Sequence, residues 1–257
     1  MSVYISIVSH GHGTEIAKIN VLSSLSEEFT VVVKNNKPDD DLVNYLSSSD
    51  IHLLDNDYGL GFGENNNIVF NFCVNKLGMK DNDIFIVLNP DVFISNESVN
   101  LVSEKMKSNS TKLSTINLYK DEGYSVSDDS IRKFPSLYDF STSLLGLGNS
   151  TIYNKSSLND DEEVDWAAGS FLAFEVEHFK LIRGFDENYF MYCEDIDICF
   201  RSYKQNHKIH FYKNIRAVHY AKHNNRKIFS KHFIWHISSA LRFLSSKKSF
   251  TKIKSSI

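Results

Sequence analysis

No aspartate or glutamate occurs after Asp197. The last 60 residues hold 14 lysines and arginines, so the chain carries −18 up to that point and +14 beyond it, although its formal net charge is only −4. A segment so one-sided suggests an anionic partner, such as phosphates, a nucleic acid or a membrane surface, or it answers the protein's own acidic half. Cysteine is also scarce. Cys73, Cys193 and Cys199 are odd in number and share no CxxC spacing, which argues against a disulfide framework or a zinc site and for a reducing cytoplasm. No run of 18 uncharged apolar residues is present, so no membrane-spanning helix is expected. The opening MSVYISIVSHGHG lacks the basic start of a signal peptide and reads better as a first strand. The ten histidines form no HExxH pattern, and no internal repeat or low-complexity segment is evident.

The 257 residues leave room for one large domain or two small ones, and 42% hydrophobic with 23% charged residues is ordinary for a soluble globular chain. Val3 to Ser9, Thr30 to Lys34, Ile51 to Leu54, Ile84 to Leu88 and Lys112 to Leu118 read as strands. Helical stretches separate them: Thr14 to Ser26, residues 39–48, a helix ending near Leu77, and Asn96 to Met106. That alternation predicts an α/β fold with a mostly parallel sheet and helices on both faces. The second half is less regular, with a helix over Pro135 to Leu145, a strand over Trp166 to Val176, a helix over Glu194 to Gln205 and a strand over Lys208 to Tyr212. The organisation expected is one domain with two lobes and no clear linker.

Open parallel sheets bind ligands at the carboxyl ends of their strands. Three polar stretches fall there: Ser9-His10-Gly11, Asn35-Asn36 and Asn89-Pro90-Asp91. Each also fits plain turn chemistry. In IFIVLNPD a hydrophobic strand delivers Asp91 to the sheet edge, where Mg²⁺ could bridge a carboxylate and substrate phosphates. GLGFGENNN offers flexible backbone and amide side chains. It is not the dinucleotide fingerprint GxGxxG, because it follows the third strand and its spacing differs. FMYCEDIDICF puts Glu194, Asp195 and Asp197 at the start of a helix, with Asp197 and Arg201 at i, i+4. Those acids fit two readings. They could complement the helix dipole, or Asp195, beside Tyr189, Phe190 and Tyr192, could have the raised pKa of a general base. His219 is either an ordinary structural histidine or a neutral ligand that joins a carboxylate in holding Mg²⁺ or Mn²⁺.

Taken in order, IVSH, VVVKNNK, YGLGFGENNN, FIVLNPD, WAAGSF and GFDENYFMYCEDIDICFR resemble the family 2 inverting glycosyltransferases of the GT-A fold, across roughly residues 3–245. RKFPSL, VDWAAGSF, YFMYCEDID and HYAKHNNRKIFSKHF are most similar to the bacterial WbbL-type rhamnosyltransferases of O-antigen assembly. The resemblance implies a GT-A domain over residues 1–225, with a nucleotide-sugar lobe (1–120) and an acceptor lobe (121–225), and a basic amphipathic helix and tail over 226–257. It implies that Asp195 is the catalytic base and that Glu194 contacts or orients the acceptor. Asn89 and Asp91 stand at the DxD-like position, where Asp91 would face Mg²⁺ or Mn²⁺ and the diphosphate, with His219 completing the metal site. Ser9, Asn35 and Asn36 would serve the nucleotide, Asn65, Asn66 and Asn67 would line the donor pocket, and Trp166, Gly169 and Ser170 would wall the acceptor side. Asn35 replaces the family's usual aspartate and Asn89 the first acid of DxD, which leaves fewer charged ligands for a metal.

The implied reaction takes L-rhamnose from dTDP-β-L-rhamnose to a polyprenyl-diphosphate-linked GlcNAc, on the inner face of the bacterial cytoplasmic membrane. Phe229, Phe233, Ile237, Ala240, Leu241 and Leu244, with Lys231, Arg242, Lys247 and Lys248 nearby, read as an amphipathic helix lying on an anionic membrane or as a core-packing helix with a solvated basic face. Galactofuranose, glucose or N-acetylglucosamine donors remain alternatives, as does a non-catalytic nucleotide- or nucleic-acid-binding module. The last is disfavoured because the aromatics form no RNA-stacking pattern.

Overall fold

The computed structural model describes residues 1–221 and 231–257. The expected boundary at 225/226 and Phe229 of the apolar stripe lie outside the described residues. The first half runs β1 (Val3–Ser9), α1 (Gly13–Ile19), α2 (Val21–Ser26), β2 (Thr30–Asn35), α3 (Asp40–Leu46), β3 (His52–Leu54), α4 (Phe62–Lys76), β4 (Ile84–Leu88), β5 (Val92–Phe93), α5 (Asn96–Asn109) and β6 (Leu113–Tyr119). Then come β7 (Ile131–Arg132), α6 (Leu137–Leu144), a 3-10 turn at Lys155–Ser157, β8 (Glu162–Val164), β9 (Trp166–Ala167), β10 (Phe171–Glu175), α7 (Val176–Leu181), α8 (Glu194–Lys204), β11 (Ile209–His219) and α9 (Lys231–Lys247).

The main sheet has the order β3-β2-β1-β4-β10-β6-β11-β5, with β8 also paired to β11. It is parallel from β3 to β4 and between β6 and β11, but β10 enters antiparallel between β4 and β6. The sheet is therefore mixed. The single helix expected before Ser26 is two, because Asn20 adopts a left-handed conformation (φ 51°) between α1 and α2. The single strand expected over Trp166 to Val176 is likewise split by the Ala168–Ser170 turn into β9 and β10.

Strand alternation builds the two cores, since successive side chains point to opposite faces. Val3, Ile5 and Ile7 of β1 and Ile84, Ile86 and Leu88 of β4 pack with Ile16, Leu22, Leu42, Val99 and Val102 from α1, α2, α3 and α5. Tyr4, Phe85 and Val87 point the other way, onto Val69, Phe70 and Cys73 of α4, Phe179 of α7, Ile198 and Cys199 of α8, and Ala240 and Phe243 of α9. Thus α9 is partly a core helix. The stripe read from sequence divides between two faces: Ala240 is buried while Leu241 is exposed. Arg242 on α9 donates to the buried Asp186 at 2.6 Å, and Lys254 N–H donates to the same carboxylate at 3.0 Å. The loop that precedes α8 is thereby anchored to the C-terminal segment.

A buried histidine in this core gives a pH-dependent term. His178 of α7 sits 2.7 Å from Ser202 Oγ, whose hydroxyl donates to the His207 carbonyl. Burial, reinforced by the charges of His207 and Lys112, lowers its pKa to about 4. An unfolded chain protonates such a ring near 6.5, so on acidification the unfolded state takes up the proton first. The stabilisation is complete above that pH and falls by up to about 3 kcal/mol as pH drops toward the folded value. His178→Gln should flatten the acid limb of a stability-against-pH curve measured by urea unfolding. An unchanged limb would assign the acid sensitivity to other groups.

Candidate active site

The parallel strands β1, β2 and β4 end at one edge of the sheet. Their registers pair Ser9 with Asn35 and Ile7 with Leu88, so the three polar stretches named from sequence fall side by side. The backbone N–H of Asn36 donates to the Ser9 carbonyl at 2.7 Å. Asp91 follows β4 directly. The strand predicted to end at Tyr212 instead continues as β11 to His219, past a register shift between Tyr212 and Arg216. Because β11 pairs with β5, His219 lies opposite Val92, and the Tyr220 N–H donates to the Asp91 carbonyl at 3.0 Å. That pairing sets His219 Nε2 3.4 Å from Asp91 Oδ1.

The other ring nitrogen, His219 Nδ1, is 2.6 Å from Asp128 Oδ2. Burial alone would lower the His219 pKa, but the two carboxylates outweigh it and lift it to about 9. Burial alone would raise the Asp91 carboxyl, but the His219 ring beside it more than offsets this, and the net shift is downward. Asp128 behaves in the same way, with Lys155 adding to the effect of His219. Asp91 Oδ1 is buried and has no hydrogen-bond partner. Among the described residues no three His, Cys, Asp or Glu side chains converge as a metal site. One carboxylate oxygen and one imidazole nitrogen suit a divalent ion only if the ring gives up the proton that its raised pKa holds and water or phosphate oxygens fill the ion's other positions, as Mg²⁺ and Mn²⁺ commonly accept. Asp128 would then fix the ring from behind, as carboxylates often do for metal-bound histidines.

A cavity of about 550 Å³ opens beside His219, while Asp91 itself lines a separate cavity of about 1050 Å³ with His12, Glu15 and Tyr220. Asn89, His219, Trp166, Gly169, Ser170, Glu194 and Asp195 line the first, with Phe62, Arg132 and Tyr192. The two acids reach it from the first turn of α8. Tyr192 and Cys193, just before that turn, are both left-handed (φ 71° and 63°), an unfavourable conformation for such side chains and one that structures often concentrate at functional sites. Asp195 is held by two backbone donors: Gly169 N–H to Oδ2 at 3.2 Å and Ile196 N–H to Oδ1 at 2.8 Å. Burial raises the Asp195 pKa, opposed by these donors and by the Arg132 guanidinium. Burial, and then the Asp195 charge, also raise that of Glu194. Glu194 Oε2 and Ser170 Oγ are buried without hydrogen-bond partners. The arrangement offers a fixed carboxylate of raised basicity and unsatisfied polar atoms where a hydroxylated ligand would meet them.

The remaining expected residues are distributed otherwise. Asp197 turns away from the cavity and pairs with Arg201 at 2.7 Å, also taking a long contact from Tyr189. Ser9 Oγ accepts from His12 N–H at 3.3 Å, and Asn35 Nδ2 donates to Asp55 at 2.8 Å. The Asn36 amide closes on Leu60 through both its atoms. Asn65 binds the Leu60 and Gly61 carbonyls but keeps a buried, unpartnered Oδ1. Asn66 and Asn67, also expected at the donor pocket, are as fully buried as Asn65. Asn66 takes the Ser6 hydroxyl and donates to the Phe62 carbonyl, while Asn67 is spent on the backbone of Phe185 and on Glu187. Both lock α4 to its neighbours and have no exposed surface.

The glycines of GLGFG also do something other than flex. A Cβ on Gly61 would lie 2.8 Å from the Phe190 carbonyl and 2.9 Å from that of Tyr189, and one on Gly63 would lie 2.7 Å from Phe185. They admit the loop before the acids, and Phe62 N–H donates to the Phe190 carbonyl at 3.1 Å. Sequence reasoning missed Asp128 and Arg132. Asp128 sits in a segment, Asp121 to Asp129, that reads as polar loop, and Arg132 follows just after it; the bridges from Tyr119 to Ser127 and from Arg132 to Ile152 and the β7–β9 pair bring them in.

Comparison with known proteins adds the following. A family profile described as the N-terminal domain of galactosyltransferase matches residues 155–225. Rhamnosyltransferase WbbL of Escherichia coli (strain K12) is 40% identical over 252 residues, covering 96% of this chain and 94% of that protein. The N-acetylglucosaminyl-diphospho-decaprenol L-rhamnosyltransferase of Mycobacterium tuberculosis (strain H37Rv) is 31% identical over 100 residues, 38% of this chain and 33% of that one. Among solved structures, GalNAc-T7 with UDP, GalNAc and Mn²⁺ superposes with a TM-score of 0.67 at 12% identity, over 95% of this chain and 48% of that one, a likeness of fold.

Proposed function

This chain belongs to the GT-A-fold glycosyltransferases, among the relatives of rhamnosyltransferase WbbL, and on that premise we propose that it moves L-rhamnose from dTDP-β-L-rhamnose to a polyprenyl-diphosphate-linked GlcNAc, with inversion, during assembly of a cell-surface polysaccharide such as O-antigen. The observation that carries the reading is Asp195, held by the Gly169 and Ile196 N–H groups in a cavity that His219 also lines while touching Asp91. The acceptor class follows the name of the mycobacterial relative, which acts on an N-acetylglucosaminyl-diphospho-decaprenol.

Asp195 takes the proton of an acceptor hydroxyl. That oxygen attacks the anomeric carbon from the face opposite the diphosphate, the carbon–oxygen bond to the diphosphate breaks, and the proton later passes from Asp195 to water. Glu194, with its unpartnered Oε2, receives a second acceptor hydroxyl and sets its angle. Asp91 and His219 would hold Mg²⁺ or Mn²⁺, which would supply positive charge to offset that of the diphosphate leaving group. Asn36 and Asn65 serve the nucleotide side. Arg132, in the same cavity, adds a cation beside the acceptor diphosphate. The enzyme works at the inner face of the cytoplasmic membrane. No helix among the described residues is long and apolar enough to cross a bilayer.

A galactosyl donor is the competing reading, favoured by the family profile over residues 155–225. One experiment separates the two. The protein is incubated with dTDP-rhamnose, UDP-galactopyranose, UDP-galactofuranose, UDP-glucose and UDP-GlcNAc, each with a synthetic lipid-diphosphate GlcNAc. Product from dTDP-rhamnose alone is expected. Product from a galactosyl donor alone would replace the rhamnosyl assignment.

A further inference from the structure

We propose that α6, the turn that follows it and the outer face of α9 form a rim that seats the mouth of the Asp195 cavity on an anionic lipid bilayer. The proposal rests on the reading that the acceptor is lipid-linked, and it names the surface that meets the lipid.

Four large apolar side chains stand out within eleven residues. Leu137 and Tyr138 are 63% and 72% exposed, and Leu145 and Leu147 are 72% and 74% exposed. Helix α6 is nonetheless well defined. A reciprocal cap between Ser136 and Asp139 starts it, and Phe140 anchors its inner side on Phe243 and His236 of α9, with ring centroids 6.3 Å apart in each case. Leu137 and Leu145, the residue that ends the helix, stand two turns apart on one outward side with the exposed Ser141 between them. Helix α9 repeats the pattern. Ala240 and Phe243 point into the core, whereas Ile234 and Leu241, two turns apart, are 62% and 57% exposed.

The two helices are neighbours. Besides the Phe140 contacts, Lys247 Nζ donates to the Pro135 carbonyl at 3.3 Å. The cavity opens between them, lined by Pro135, Asp139, Phe140 and Ser143 on one side and His236 on the other, with Asp195 inside. Clusters of exposed apolar side chains mark interaction surfaces, and this one lies on the two helices that contribute Asp139, Phe140, Ser143 and His236 to the cavity wall. The charge selects the partner. Lys231 at the start of α9 and Lys248 and Lys252 after its end are exposed. Apolar side chains flanked by lysines complement an anionic bilayer, where the apolar groups enter the acyl boundary and the lysines meet headgroups. In this pose the diphosphate of an acceptor whose chain lies in the membrane faces the cavity mouth directly.

The test uses the full chain and the double variant Leu145→Ser/Leu147→Ser, at positions so exposed that folding, followed by circular dichroism, should be unchanged. Co-sedimentation is measured with phosphatidylcholine vesicles with and without phosphatidylglycerol. Wild type should bind the anionic vesicles, and the variant should bind them at least about tenfold more weakly. Lys231→Gln/Lys248→Gln/Lys252→Gln should lose only the preference for the anionic lipid. Transfer is scored on a polyprenyl acceptor in vesicles and on a water-soluble short-chain GlcNAc diphosphate. The leucine variant should lose activity on the first and keep it on the second. Equal vesicle binding by wild type and the leucine variant would overturn the rim. So would a wild-type dimer, seen by sedimentation velocity, that the leucine substitutions convert to monomer without any vesicle binding. If wild type glycosylates neither acceptor, the functional reading fails, while the vesicle measurement still decides the rim.

Discussion

Asp195→Asn should lower the rate of sugar transfer by about 10²–10⁴-fold, the typical worth of a positioned general base, and leave donor affinity nearly unchanged. The amide has almost the size and shape of the carboxylate but no basic oxygen with which to take the acceptor's proton. The geometry also says how it will sit. Its one oxygen will turn to the shorter donor, Ile196 N–H at 2.8 Å, which leaves the Gly169 N–H, 3.2 Å from the native carboxylate, facing an NH₂ group. The local disturbance is one weakened hydrogen bond, about 1 kcal/mol, too small to mimic the expected loss. Steady-state transfer assays with calorimetric titration of the donor provide the check. Glu194→Gln is the companion: it keeps a hydrogen-bonding group beside the cavity, so its loss should fall mainly on acceptor KM. Full turnover by Asp195→Asn would remove Asp195 from the role of base, and a larger kcat loss in Glu194→Gln would transfer that role to its neighbour.

Asp91→Asn should cost about 10²–10³-fold in kcat, on the scale of losing one preorganised electrostatic contact to developing charge. It should also abolish any strengthening of nucleotide-diphosphate binding by Mn²⁺. The carboxylate is the charged group at the end of β4, and its buried Oδ1 is met by the His219 ring only at the long distance of 3.4 Å. His219 would keep its 2.6 Å contact with Asp128 in the variant, so the ring stays in place and the fold is retained. Titrating the nucleoside diphosphate with and without Mn²⁺ reads the effect apart from turnover. An equal dependence on Mn²⁺ in wild type and variant would show that Asp91 does not face the ion.

Much of this was legible in the sequence, for identifiable reasons. The near-continuous apolar runs in VYISIVS, TVVVK and IFIVL report burial on both faces, and they gave β1, β2 and β4 with their polar ends. The apolar spacing in EDIDICFRSYK gave α8. What escaped depends on pairing between distant segments. The polar Lys213-Asn214 step looks like the end of a strand, yet it is an irregularity within β11, and only the continuation to His219 sets that ring against Asp91. Asp128 was hidden by a loop whose position follows from a single bridge to Tyr119. The packing of Asn66 and Asn67 was not legible, because an amide that fastens two backbone segments has the same letter as one that greets a ligand. The packing of the GLGFG glycines was hidden similarly, since a close approach by Tyr189 and Phe190 leaves no local trace.

The reversed strand β10 has a consequence for descent. It belongs to the later half of the chain, yet it is wedged between β4 and β6 of the earlier half and paired to both. Neither half can be exchanged between lineages as a cassette, because lifting one out would tear the sheet through its middle. Variation is expected instead in segments outside the main sheet, such as the stretch from Leu137 to Ser150, while the interleaved scaffold is inherited whole.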